Sequence, residues 1–214
     1  MKNLIVGQSG GPTAVINGSL YGVVTEGLKS TEQIGKVYGM VHGIEGFLGG
    51  QYMDMDTDMT KDELTALKTT PGAFLGSCRY KLPEDLSDPV YPELFKKFEE
   101  LNIGYFFYCG GNDSMDTVSK LSRYAASVNS DIRVMGVPKT IDNDLVLTDH
   151  TPGFGSAAKF VASSVREINR DSEAYDKPNV MIIEIMGRHA GWLAASSVLA
   201  RCEKDPNPLL IYLP

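Results

Sequence analysis

Ile103-Gly104-Tyr105-Phe106-Phe107-Tyr108-Cys109-Gly110-Gly111-Asn112-Asp113-Ser114 is the stretch that decides the fold. From Ile103 to Cys109 the run is apolar at odd and even positions alike, so it reads as a strand buried on both faces. It breaks at Gly110-Gly111. From about Asp113 to Val128, Met115, Val118, Leu121 and Ala125 then recur on one helical face. A two-sided strand, a glycine pair and an amphipathic helix together make one unit of a parallel sheet.

The same grammar extends outward in both directions. Leu4-Ile5-Val6 is a first buried strand that ends at Gly10-Gly11, and a helix follows from about Thr13 to Leu28, with Pro12 where a first turn tolerates it. Lys36 to Val41 reads as a second strand. Residues 42–90 are less regular, with a short helix from Lys61 to Leu67 opened by Thr60 and Glu63, the spacing of a capping box. Tyr91 to Leu101 is helical and leads into the central strand. Beyond it lie a strand from Ile132 to Val137 closed by Pro138, a helix from Gly155 to Arg170 and a strand from Val180 to Ile185. A helix from Gly191 to Leu199 and a last strand from Leu209 to Leu213 complete the alternation. This predicts a doubly wound, mostly parallel α/β sheet with helices on both faces. Ligands of such sheets bind at the carboxyl ends of the strands, near a topological switch point.

Composition narrows the function. The 214 residues are 43% hydrophobic and 22% charged, enough for one large α/β domain or at most two small ones. No run approaches the roughly 20 apolar residues of a membrane span, and the N-terminal Met1 to Val6 is too short for a secretory signal. Cys78, Cys109 and Cys202 are odd in number and widely spaced, which fits a reducing compartment, the cytoplasm, better than a disulfide framework or a zinc site. Net charge is −7 with no basic stripe, so a nucleic-acid partner is not expected. The 22 glycines suit a backbone that approaches phosphate closely.

Four strand ends carry residues that packing does not require. Gly10-Gly11-Pro12-Thr13 can turn backbone N–H groups toward an anion at a helix start, or can simply be a tight turn. Gly110-Gly111-Asn112-Asp113-Ser114 repeats the arrangement, with Asn112 or Asp113 also able to serve as a helix N-cap. Pro138-Lys139-Thr140-Ile141-Asp142-Asn143-Asp144 places a cation, a hydroxyl and two carboxylates in one loop. If that loop is extended, Asp142 and Asp144 face the same side, where adjacent like charges raise the pKa of one and fit it to accept a hydroxyl proton. The alternative is a polar Asx turn. Met186-Gly187-Arg188-His189 ends the next strand, where Arg188 can grip a sugar or phosphate oxygen; Trp192, just beyond, is expected in the core. Gly153-Phe154-Gly155-Ser156-Ala157-Ala158 imitates a dinucleotide fingerprint, but the polar loop before it is the wrong context.

Taken together and in this order, these segments resemble the phosphofructokinase family, over the whole chain and with Gly76-Ser77-Cys78-Arg79 as a further shared motif. The resemblance implies that Asp142 takes the proton from the 1-hydroxyl of fructose 6-phosphate, with Thr140 and Asp144 in support and with Thr140 and Ile141 also binding the substrate. It implies that Met186, Gly187 and Arg188 bind the sugar phosphate, and that Gly10, Gly11, Arg79, Gly111 and Lys139 hold the phosphoryl donor. Asp113 stands where ATP users of the family have glycine, and Lys139 where they have a small residue. That pair is similar to the pyrophosphate-dependent branch: a carboxylate repels a third phosphate and an ammonium attracts a second. The implied reaction is reversible phosphoryl transfer from pyrophosphate, with Mg²⁺ as cofactor.

Two departures matter. Asn112 stands where the family usually has a magnesium-binding aspartate, so either Mg²⁺ arrives mainly on the pyrophosphate or Asp113 shares the metal with Asn112. Members of the family are also about twice as long. The expectation is therefore a single donor-binding domain over residues 1–214, with the second, substrate-completing domain absent and activity of the chain alone weak or nil. The rival readings are an ATP-dependent enzyme and a non-catalytic regulatory subunit. Self-association as a dimer or tetramer is implied by the resemblance only.

Overall fold

The computed structural model describes residues 1–13, 15–202 and 208–214. They form two compact units, Met1–Lys139 and Thr140–Pro214.

The first unit is built on β1 (Lys2–Gln8), β2 (Ile34–Met40), β3 (Tyr52–Asp54), β4 (Ile103–Gly110) and β5 (Arg133–Pro138), in the order β3-β2-β1-β4-β5. Only β3 runs antiparallel, against β2; the other pairings are parallel. From β1 the chain winds outward one way to β2 and then returns to the other side for β4. The switch point therefore lies between the carboxyl ends of β1 and β4, where the two glycine pairs sit.

Side chains of β1 and β4 alternate between two cores, as a pleated strand requires. Ile5, Phe106 and Tyr108 join Phe47 of α2 (Gly43–Leu48), Tyr91, Leu94, Phe95 and Phe98 of α4 (Val90–Glu100), and Leu121 and Ala125 of α5 (Asn112–Ser127). Leu4, Val6 and Cys109 join Ile16, Leu20 and Val24 of α1 (Ile16–Lys29), with Leu67 just past α3 (Lys61–Ala66). Helices thus cover both faces. Burial pushes the Cys109 thiol up to about 12, consistent with an inert core residue.

Element boundaries mostly follow the sequence pattern, and Thr60 and Glu63 form the reciprocal capping box. α1 begins at Ile16, later than expected, so Pro12 precedes the helix and belongs to the turn. The short α2 and β3 carry too few residues for a periodicity and were not expected.

The second unit holds α6 (Phe154–Glu173), α7 (Trp192–Ser196) and a 3₁₀ turn (Ser197–Ala200). The expected strands at 180–185 and 209–213 are not formed. Apolar, β-branched composition favours extended backbone, but a strand exists only with a ladder partner, and among the described residues neither segment has one. Trp192 is 57% exposed rather than core.

Candidate active site

In the first unit the two glycine turns lie against each other. Gly10 has φ +79°, and a Cβ there would come within 4.0 Å of the Gly111 nitrogen and the Ser114 hydroxyl. At Gly110 a Cβ would collide with Ser114 Oγ at 1.9 Å and stand 2.9 Å from the Ser9 carbonyl, so only glycine fits. Above Gly11 the space is open, with nothing within 4 Å of a built Cβ. Backbone can approach a ligand closely there.

Gly111 is the N-cap of α5 and no side chain caps this end, so neither Asn112 nor Asp113 plays the capping role that their sequence also allowed. Both are exposed residues of the first turn. The uncapped amides and the dipole of a 16-residue helix make this end attractive to anions.

Lys139 follows β5 and is the buried cation of this place, 6% exposed. Its backbone N–H donates to Gly110 O at 2.9 Å and its ammonium donates to Gly11 O, so the side chain spans from one glycine turn to the other. Burial, and then the like charge of Arg79, pull its pKa below the ordinary lysine range. Arg79 is exposed and reaches this place on a loop tied to the first turn. Gly10 N–H donates to Cys78 O at 3.1 Å, and Ser77 Oγ donates to Gly10 O at 2.5 Å. Across the mouth, Lys81 Nζ stands 3.3 Å from Asp113 Oδ1, both well exposed. Gly10, Gly11, Gly111, Lys139 and the Arg79 loop are therefore brought together, with Asp113 at the rim. Lys81 was missed by sequence reading, since one lysine after an arginine motif carries no pattern of its own.

The donor set for magnesium can be tested here. Among the described residues no three His, Cys, Asp or Glu side chains converge on a point. One carboxylate, Asp113, and one amide, Asn112, cannot by themselves hold magnesium, but they suit an ion shared with substrate phosphate oxygens.

The second unit opens with the turn 140–144. Its backbone is not extended, because Asn143 adopts a left-handed conformation, φ 58°. This corrects the argument that period-two alternation turns Asp142 and Asp144 to one side. The segment is instead the polar, Asx-rich turn that was its alternative reading, closed locally by the Thr140 hydroxyl rather than by an Asx side chain. Asp142 N–H donates to Thr140 Oγ1 at 3.1 Å. Asn143 Oδ1 accepts from Thr151 N–H at 2.9 Å while its Nδ2 donates to Asp149 O at 3.0 Å. Thr151, 3% exposed, donates through Oγ1 to Thr140 O at 2.8 Å. Thr140 N–H donates to Pro152 O at 3.2 Å and Thr140 bridges to Gly153, so the turn is fixed against the start of α6. Asp142 is half-buried and Asp144 exposed. Asn143 and Thr151 are the structural residues of this turn, and only the Asx-forming ability of Asn143 hinted at them.

Met186-Gly187-Arg188 forms a tight turn closed by a bond from Ala190 N–H to Gly187 O. Gly187 has φ +143° and a Cβ there would lie 2.3 Å from Ala190 O. Arg188 takes φ 36°, a conformation costly for a residue with a side chain and concentrated at functional positions. Met186 is 72% exposed. The fingerprint-like 153–158 opens α6 without a preceding strand, so it fails the context of a dinucleotide site.

Comparison with known proteins gives this arrangement its relatives. Residues 3–210 match the family described as phosphofructokinase. The chain is 47% identical over 211 residues to the pyrophosphate–fructose 6-phosphate 1-phosphotransferase of Rhodospirillum rubrum, covering 99% of this chain and 50% of that protein. It is 42% identical over 214 residues to the enzyme of the same name from Halomonas elongata, covering 98% and 51%. The crystal structure of a pyrophosphate-dependent phosphofructokinase from Marinobacter aquaeolei superposes with TM-score 0.88 at 44% identity, covering 100% of this chain and 53% of that one. The chain spans about half the length of the curated relatives it matches. With two glycine turns at the switch point and a family match along nearly its whole length, the chain belongs to the phosphofructokinase family.

Proposed function

We propose that this chain supplies the donor site and the base of a reversible phosphoryl transfer from pyrophosphate to the 1-hydroxyl of fructose 6-phosphate. The observation that carries the reading is Lys139: a buried ammonium seated on the Gly11 carbonyl, between two glycine turns and near Arg79. Two cations and the amides at the start of α5 suit a compact, highly charged diphosphate. By the family resemblance, Asp113 adds bulk and negative charge where a nucleotide's α-phosphate would lie, a charge that Lys81 at 3.3 Å partly offsets.

The chemistry follows from these parts. Asp142 accepts the proton of the 1-hydroxyl as that oxygen bonds to the nearer phosphorus. The bridging P–O bond breaks, and its electron pair leaves with inorganic phosphate, whose charge Lys139 and Arg79 offset. Such a transfer depends on positioning and charge neutralisation rather than on a covalent intermediate. Asp113 and the amide oxygen of Asn112 would help hold magnesium brought by the diphosphate, and the ion would offset charge on the phosphate oxygens. Arg188, with Met186 and Gly187, takes the sugar phosphate, and Thr140 and Asp144 support Asp142. The reading includes self-association, from the family resemblance, and a cytoplasmic setting, from the cysteine usage. No helix among the described residues is long and apolar enough to cross a membrane.

A coupled assay of fructose 1,6-bisphosphate formation by the protein at the length of its curated relatives, supplied with one donor at a time, tests the reading. Pyrophosphate is expected to support turnover and ATP is not; ATP activity equal to that with pyrophosphate would overturn the assignment. Asp113→Gly is expected to admit ATP, and no gain in ATP binding would remove the role given to that carboxylate.

A further inference from the structure

Arg79 sits on an unusual piece of chain. Residues 71–89 contain neither helix nor strand, a long irregular stretch for a compact unit, and such stretches are commonly functional. Two fully buried amides hold its upstream part. Gln8, 0% exposed at the end of β1, accepts from Leu75 N–H through Oε1 at 2.9 Å. Its Nε2 donates to Ile16 O at 3.2 Å and to Asn17 Oδ1 at 3.0 Å. Asn17, also 0% exposed, accepts from Phe74 N–H through the same Oδ1 at 2.8 Å and donates to Thr70 O at 2.9 Å. Neither amide touches the open space above Gly11. Their shared effect is to satisfy three backbone groups of the loop: the Thr70 carbonyl and the Phe74 and Leu75 amides.

We propose that Gln8 and Asn17 are positioning residues that set the height and direction of Arg79, an inference that rests on the donor-site reading. Three residues separate Leu75 from Arg79, and of these Ser77 and Cys78 are bonded to Gly10. Any shift at Leu75 is therefore passed to the guanidinium over a short, doubly fixed span. A core that needed only filling would place apolar side chains here, because a buried amide left half-satisfied is costly. These two instead place three of their five bonds on backbone groups of one loop, from positions on either side of the first glycine turn in the chain.

The test is a double-mutant comparison on the 214-residue chain, titrating inorganic pyrophosphate calorimetrically and following thermal melting in parallel. Asn17→Ala is expected to weaken pyrophosphate roughly tenfold when Arg79 is present and less than about twofold in the Arg79→Ala background, the non-additivity of residues that act through one group. The fall in melting temperature should be the same in both backgrounds. If Asn17→Ala does not fold, Gln8→Met, which keeps volume and leaves the bonds of Asn17 to Phe74 and Thr70 in place, serves for the same comparison. An equal loss of affinity with and without Arg79 would overturn the positioning role while leaving the donor site intact. Arg79→Ala with unchanged affinity, or no binding by the unaltered chain at millimolar pyrophosphate, would instead overturn the donor-site reading and this inference with it.

Discussion

Lys139 shows how one residue can be both a liability and a tool. Burial disfavours its charged form and the Arg79 charge adds to that, so its proton leaves at a pH below the ordinary lysine value of 10.5. The folded chain then binds fewer protons than the unfolded chain between the depressed value and 10.5, and stability rises with pH across that window. Ligand binding has the opposite sign, because the diphosphate needs the ammonium. Pyrophosphate affinity is expected to fall as pH climbs through the depressed pKa, before an ordinary lysine would titrate. Lys139→Arg, which keeps its charge, should remove that fall, and calorimetric titration over the alkaline range reads both. Asp142 carries the other prediction at this scale. Asp142→Asn should lower turnover at least ~10²-fold with little change in donor KM, as for loss of a general base; unchanged turnover would remove its role.

At the scale of elements, the turn between β4 and α5 is where sequence and packing agree most closely. Gly110 is pressed between the Ser114 side chain and the Ser9 carbonyl. The hydroxyl could rotate away from an added methyl, but Ser114 Cβ at 2.4 Å and the Ser9 carbonyl belong to positions that rotation cannot clear. Gly110→Ala is therefore expected to destabilise by about 1–3 kcal/mol through overpacking, read as a lower denaturant midpoint with an unchanged slope. The element pattern of the first unit was legible because each strand and helix buries a face whose period shows in the residue order: Phe106 and Tyr108 on one side, Phe107 and Cys109 on the other. The glycine turns and the Lys139 loop were legible through residue types that packing does not need. What stayed hidden depends on contacts distant in sequence. Gln8 and Asn17 look like ordinary polar residues at element ends until the loop from Thr70 to Leu75 is seen resting on them. Asn143 turned the presumed extended acidic pair into a compact turn through one left-handed residue, a torsion that alternation cannot reveal.

Over the whole molecule, regular pairing is concentrated in the first unit. Its strands are laced from β3 to β5, and Phe106 and Tyr108 at the centre are 0% and 1% exposed. In the second unit, Val180 is 88%, Met181 55% and Ile182 89% exposed, and α6 buries only Val165. The composition of 180–183 is that of an interior strand, so the exposure reflects a missing ladder rather than a polar sequence. Hydrogen exchange should divide along this line. Amides without ladder bonds open with free energies near zero, whereas those of a central strand exchange only when the unit unfolds. The amides of Ile182 and Ile183 are therefore expected to exchange close to the rate of an unstructured chain, and those of Phe106 and Tyr108 many orders of magnitude more slowly. Protection of 182–183 equal to that of β4 would mean that this stretch has found a strand partner in solution, either within the chain or on a second copy. Repeating the exchange across protein concentrations separates the two, because only protection from a second copy weakens on dilution.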